Sequence, residues 1–256
     1  MKDGALTLSP LPAIPLVRPG DDLARLLIDG IEALGTGLDP GDVLVVAQKI
    51  VSKSEGRLVD LDSVTPSPQA EHYARLTNKD PRLVQIVLGE SAAVLRHAPN
   101  VIIVEHRRGW VMANAGVDQS NVEPVAGKRQ ALMLPEDPDA SCRRLKARLD
   151  AHFGVEIGVI INDSFGRAWR NGTVGVALGA AGLPALRDLR GRPDLFGRKL
   201  EVTEVGFADE IAAAASLVMG QAAEGRPAIL VRGLEWSEPA GNAADLIRPK
   251  SIDLFR

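Results

Sequence analysis

The chain has 256 residues, 45% of them apolar and only 4% aromatic, with a formal net charge of -3. That length supplies one large domain or two small ones around a mostly aliphatic core, and the charge gives no electrostatic case for nucleic acid, which usually needs a basic stripe. A single cysteine, Cys142, excludes an internal disulfide and a cysteine-based zinc cluster.

No run approaches the ~18 apolar residues of a membrane span, and none follows Met1-Lys2-Asp3-Gly4 as a secretory signal would. A cytoplasmic protein with no membrane and no nucleic-acid partner is therefore expected. Residues 5 to 20 are proline-rich and end at Pro19-Gly20. Asp21 or Asp22 then caps a helix with the stripe Leu23, Leu26, Leu27, Ile31 and Leu34, closed by Gly35 and Gly37. Val43 to Ala47 reads as a buried strand running into the polar stretch Gln48 to Arg57. Ser67-Pro68 and Asp80-Pro81 each set a capping side chain before a first-turn proline, opening helices to about Leu76 and Leu88. Val101 to Glu105 and Trp110 to Ala113 form a strand pair.

Pro135-Glu136-Asp137-Pro138 begins a helix through about His152, with Gly154 as its C-terminal cap. Strand Ile157 to Ile161 follows. Residues 166 to 197 show little periodicity and read as a lid or as a segment that meets a partner subunit. Leu200 to Val205 alternates like a half-buried strand, Asp209 to Glu224 is an alanine-rich helix, and Ala228 to Val231 is a strand. Strands and helices mixed without a regular repeat favour an α+β fold over a doubly wound sheet.

Several familiar motifs are absent. There is no Walker nucleotide loop, no G-x-S-x-G elbow and no H-E-x-x-H pair. Gly175 to Gly182 is glycine-rich but has the wrong spacing for a Rossmann dinucleotide loop. His72, His97, His106 and His152 are scattered and read as surface or capping residues.

What is present suits phosphate and a hard cation. Asp118, in Ala115-Gly116-Val117-Asp118-Gln119-Ser120-Asn121-Val122, and Asp163, in Asn162-Asp163-Ser164-Phe165-Gly166-Arg167, each follow an apolar strand. An unpaired carboxylate is costly in a core, so both belong at a polar, solvated place. Ser164 adds a hydroxyl and Gln221 an amide carbonyl, oxygen donors of the kind Mg²⁺ and Mn²⁺ take. Lys49 and Lys53, four apart, point the same way if that segment starts a helix, and either meet phosphate or stand as solvated surface charges. Arg167, Trp169 and Arg170 either take an anionic, aromatic substrate or stabilise the fold or a dimer.

Together these segments resemble the coenzyme F420-0:L-glutamate ligase family, the gamma-glutamyl ligases of deazaflavin biosynthesis. The resemblance rests on Leu11-Pro12-Ala13-Ile14, Lys49-Ile50-Val51-Ser52-Lys53-Ser54-Glu55-Gly56-Arg57 and the Asp118 segment quoted above. It continues through Leu134-Pro135-Glu136-Asp137-Pro138, Asp163 to Arg167, and Met219-Gly220-Gln221-Ala222-Ala223-Glu224-Gly225, in the family's order along nearly the whole chain. It implies that Asp118 and Asp163 ligate one divalent cation, Ser164 and Gln221 a second, with Mg²⁺ or Mn²⁺ as the metal and a monovalent cation such as K⁺ alongside. Leu11, Pro12, Ala13, Ile14, Gln48, Lys49, Lys53 and Asn121 match GTP-contacting positions, as do Met219, Gly220, Gln221, Ala222, Ala223, Glu224, Gly225 and Arg226. Ser164 stands where some relatives carry threonine, and Gln48 where serine is common. The resemblance further implies a homodimer of chains with two unequal α+β domains, and no fused flavin-reductase-like half follows.

The implied reaction is GTP-dependent addition of L-glutamate to the terminal carboxylate of coenzyme F420-0, or a close precursor, through an acyl phosphate. GDP and phosphate are released, and further γ-linked additions can follow. Asp118, Asp163 and Lys53 are the residues expected to carry the chemistry. Three other readings stand beside it: a ligase of the same architecture acting on another acid, a non-catalytic nucleotide- or deazaflavin-binding protein, and a metal-dependent phosphohydrolase.

Overall fold

A computed structural model describes residues 4–122, 127 and 129–254. The extreme ends, on which the expectations about a leader and a fused half bear, lie in part outside them. In chain order the first half comprises β1 (Thr7–Pro10), α1 (Leu23–Leu34), β2 (Val43–Ala47), α2 (Gln48–Ser54), β3 (Leu58–Asp60), α3 (Pro68–Thr77) and α4 (Pro81–Gly89). Then come β4 (Ser91–Ala98), β5 (Val101–His106), β6 (Val111–Ala113), β7 (Gln130–Leu132) and α5 (Pro138–Phe153). The remainder is β8 (Gly158–Arg167), β9 (Arg170–Ala181), β10 (Arg187–Asp188), β11 (Glu204–Val205), α6 (Phe207–Met219) and β12 (Ala228–Arg232). The fold is α+β, as expected.

Five strands form the main sheet in the order β1-β12-β2-β8-β9. Only β2 and β8 run parallel; the other neighbours are antiparallel. Alternation along the central strands explains how both faces are covered. Leu44, Val46, Val159, Ile161 and Leu230 pack with Leu27 and Ile31 of α1 and Leu145 and Leu149 of α5. Val43, Val45, Ile160, Ile229 and Val231 pack with Phe207, Ile211, Ala212 and Ala215 of α6. Each large aliphatic side chain so buried contributes about 1.5–3 kcal/mol. Pro10, which has no N–H to give a ladder, sits on edge strand β1.

A separate core joins Leu61, Val84 and Val87 with Ile102, Val104, Ala115 and Ala131. It lies among α3, α4, the sheet β4-β5-β6 and the ribbon β3-β7.

The helix starts follow their capping chemistry. Asp22, Ser67, Asp80 and Asp137 accept hydrogen bonds from the amides of Arg25, Ala70, Arg82 and Ala140. This corrects the start of α5: Asp137 is the cap, so the helix begins at Pro138 rather than Pro135.

Other boundaries also move. Within the stretch expected to be irregular from 166 to 197, the first half is strand β9, paired with a β8 that runs past Ile161 to Arg167, while residues 182 to 197 are mostly turns apart from the two-residue strand β10. Only Glu204–Val205 of the strand expected from Leu200 is paired. Helix α6 ends at Met219, capped by Gly220, so Gln221 lies beyond it in a loop. Strands β1, β3, β4 and β7 were not anticipated. His106, expected at the surface, is buried against Trp110, and its Nδ1 accepts from the Arg108 amide. No helix among the described residues is long and apolar enough to cross a membrane.

Candidate active-site cleft

The site lies where β2 ends beside β8. Their pairing stops at Ala47 opposite Asn162. Past that point β2 turns straight into α2, while β8 continues with β9 as a two-stranded ribbon. Asp163 is the first residue of β8 with no β2 neighbour, which opens its side chain to the space between ribbon and helix.

On α2, Lys49 and Lys53 are one turn apart and reach the same loop. Lys49 Nζ pairs with the Asp118 carboxylate and donates to Ser120 Oγ at 2.6 Å. Lys53 Nζ donates to the Asn121 carbonyl at 2.7 Å. Gln48 is buried, and its amide oxygen accepts from Ser52 Oγ within the helix at 2.9 Å.

The loop is presented by an unusual turn. Asn114, Ala115 and Gly116 have φ of 53, 54 and 68°, three left-handed residues in succession. A side chain at Gly116 would also lie 2.7 Å from Leu134, so glycine is required there twice over. Asp118 then exchanges two backbone bonds with Leu132, which anchors the loop to β7.

The two aspartates are electrically unlike. Burial pushes the Asp118 carboxyl up, but hydrogen bonds from Lys49 and from the amide and hydroxyl of Ser120 outweigh it and hold the group below the usual carboxylate range. Asp163 has little such help. Burial raises it to about 6, the Ser164 amide and the Lys49 charge offset part of this, and the Asp118 charge adds to it. The charges of Asp118 and Lys49 both act on Asp163, and all three residues line the same cleft.

The remaining wall comes from the loop after α6. Gln221 Nε2 donates to Ser216 Oγ at 3.0 Å, and Asn121 Nδ2 reaches the Ala222 carbonyl at 3.4 Å. The open cleft so formed measures about 1290 Å³. It is lined by Ile14, Gln48, Lys49, Lys53, Asp118 and Asn121, together with Asp163, Ser164 and the whole run Met219 to Arg226.

Not every expected residue lines it. Leu11 is buried in the core beside the sheet, its amide bonded to Ala228 O, and Pro12 and Ala13 form the exposed turn that leads to Ile14. Arg167, Trp169 and Arg170 sit at the ribbon's turn, outside the cleft lining, with Trp169 90% exposed. Ser120 and Ser216 hold site residues in place and were not singled out from sequence; their only signal was proximity to Asp118 and Gln221.

Among the described residues no group of three or more His, Cys, Asp or Glu converges as a metal cluster. A donor set of two carboxylates, the Ser164 hydroxyl and the Gln221 amide nonetheless fits a hard cation. Asp163 is the telling member, since a carboxyl raised by burial at the wall of an open cleft is one that a cation would stabilise.

A family model described as F420-0:Gamma-glutamyl ligase matches residues 13–233. The chain is 49% identical over 255 residues to the coenzyme F420:L-glutamate ligase of Methanopyrus kandleri, covering 98% of each chain. It is 46% identical to the protein of the same name from Methanothermobacter thermautotrophicus, covering 98% of this chain and 99% of that one. To that of Archaeoglobus fulgidus it is 41% identical, with 96% and 95% covered.

Proposed function

The chain belongs to the F420-0:gamma-glutamyl ligase family, and from that premise we propose that it joins L-glutamate to the terminal carboxylate of coenzyme F420-0, using GTP. The observation that supports this most is the convergence of Lys49, Lys53, Asp118 and Asp163 on one cleft of about 1290 Å³. Single small-molecule sites run to about 300–1,000 Å³, so there is room for a nucleotide and a second substrate.

A carboxylate is a poor electrophile. In the proposed first step its oxygen attacks the γ-phosphorus of GTP, the bond to the β-γ bridging oxygen breaks, and GDP leaves. In the second, the glutamate nitrogen attacks the acyl carbon, the C–O bond to phosphate breaks, and the amine loses its proton to solvent or phosphate. The protein's share is positioning and charge. Lys49 and Lys53 present ammonium groups from one face of α2 to the phosphates. Ile14, Gln48, Asn121 and Met219 to Arg226 would surround the rest of the nucleotide, with Leu11 to Ala13 shaping the turn behind it.

Asp118 with Asp163, and Ser164 with Gln221, would hold divalent cations such as Mg²⁺ or Mn²⁺, with K⁺ alongside, supplying charge neutralisation at the phosphates. Arg167, Trp169 and Arg170 would meet the substrate's anionic arm only from the ribbon's outer end. Further γ-linked glutamates are an extension of the same two steps. Two unequal subdomains and a homodimer complete the reading; Leu195 and Phe196, 99% and 95% exposed, form an apolar surface suited to a second copy.

Purified protein incubated with GTP, Mg²⁺ or Mn²⁺, F420-0 and L-glutamate tests the reading. Phosphate release that depends on both acid and amino acid is expected, with a product heavier by one glutamyl residue. Phosphate released without glutamate would instead mark a phosphohydrolase, and nucleotide binding without release a binding protein. Product from a different acid alone would move the substrate assignment.

A further inference from the structure

Ser120 stands between two residues matched to family contacts, Asp118 and Asn121, and its hydroxyl touches both charges of the Lys49–Asp118 pair in the cleft. Ser120 Oγ lies 2.6 Å from Lys49 Nζ and 2.7 Å from Asp118 Oδ2. An ammonium only donates, so the hydroxyl accepts from Lys49; its one proton then goes to the carboxylate. Used in both directions, the hydroxyl has a fixed orientation. The Ser120 amide also donates to Asp118 Oδ1 at 2.8 Å, beside that of Gln119 at 2.7 Å. One residue thus grips both oxygens of Asp118.

Helix α2 fixes the Lys49 Cα but not its ammonium, which hangs on a flexible four-carbon stem. Paired with Asp118 alone, the ammonium would be free to slide along the carboxylate. Ser120 splits its donors between a charged and a neutral oxygen. Of its three protons, one goes to Asp118 and one to Ser120 Oγ. Among the described residues the third has only the Ser120 carbonyl, at 3.5 Å, and is left for an oxygen arriving in the cleft.

We propose that Ser120 is a positioning residue, setting the Lys49 ammonium and the Asp118 carboxylate together so that Lys49 meets a nucleotide phosphate oxygen. This rests on the nucleotide-dependent ligase reading above. Ser120 makes no bond to the reacting atoms; it acts through Lys49.

The experiment measures GTP binding by calorimetry with neither acid nor glutamate present, and KM and kcat in the full reaction. The variants are Ser120→Ala, Ser120→Thr, Lys49→Met and the double Ser120→Ala/Lys49→Met. Ser120→Ala should weaken GTP binding and raise KM for GTP about tenfold, with kcat within about twofold, as expected when a charge-assisted hydrogen bond is lost. Ser120→Thr, which keeps the hydroxyl, should restore binding. The double variant should bind GTP no more weakly than Lys49→Met alone, because Ser120 has nothing left to position. Full binding by Ser120→Ala, additive losses in the double variant, or no rescue by threonine would each overturn the proposal. If Ser120→Ala does not fold, the threonine variant and Ser120→Cys, whose thiol is a weak acceptor, carry the comparison. A wild type that binds no GTP would remove the ligase reading itself, whereas unchanged binding in Ser120→Ala would remove only the role of Ser120.

Discussion

Asp118 and Asp163 show how two identical side chains are made different by what surrounds them. Asp118 receives Lys49, two amides and a hydroxyl, and stays ionised. Asp163, raised to about 6 by burial, takes up a proton just below neutrality. Its folded value lies above its unfolded one, so in the cation-free protein the charge costs stability increasingly as pH rises from the unfolded value through about 6. A cation bound there would reverse the preference, because it would bind only the ionised form. Mn²⁺ affinity should therefore fall about tenfold between pH 7 and pH 5 as Asp163 protonates, and Asp163→Asn should remove that dependence while lowering GTP turnover about 100-fold or more. Titration of Mn²⁺ at the two pH values checks this; an unchanged affinity in Asp163→Asn would take the residue out of the site. Both aspartates were legible in the sequence as carboxylates stranded after apolar runs. Their inequality was not, because it depends on Lys49, which is 69 residues from Asp118 along the chain.

The elements were legible where local rules decide them. Strand β2 and the starts of α1, α3 and α4 stand where apolar periodicity and capping residues put them. Strand β9 was not, because its Gly- and Ala-rich sequence looks like a loop. The reason for that composition is tertiary. A Cβ on Gly175 would lie 2.4 Å from the Ala212 carbonyl of α6, and one on Gly179 would lie 2.4 Å from the Pro138 backbone of α5. Missing side chains let two helices approach the strand closely, and local propensity gives way to packing. Gly175→Val should accordingly cost about 3 kcal/mol, from overpacking against backbone that cannot step aside. Denaturant unfolding of the variant measures it, and a cost below about 1 kcal/mol would show that α6 can shift. The end of α6 was missed for a related reason. Alanines beyond Met219 favour helix, but Gly220, at φ 75°, turns the chain so that Gln221 reaches Ser216.

At the scale of the molecule, the cleft is shared between two cores. Asp163 stands on β8 of the main sheet and Lys49 and Lys53 on the helix that follows β2, whereas Asp118 and Asn121 belong to a loop rooted at Ala115 in the smaller core. No local pattern in the sequence encodes that meeting; the shared polar character of the segments and the family resemblance pointed to it. The exposed apolar groups raise a further expectation. Replacing both Leu195 and Phe196 by Asp should convert a dimer into a monomer by light scattering without lowering the unfolding temperature of the isolated chain. A wild type that is monomeric at all concentrations would sink the dimer.

Past Asn162, β8 has lost β2 and keeps only β9. Among the described residues no strand pairs with its other margin beside Asp163. Recognition through such a margin is blind to side-chain identity. A polyamide lying along it would be gripped the same way whatever its length, and almost every replacement at Phe165 or Gly166 would leave that grip intact. Proline, which has no N–H to offer, is the exception.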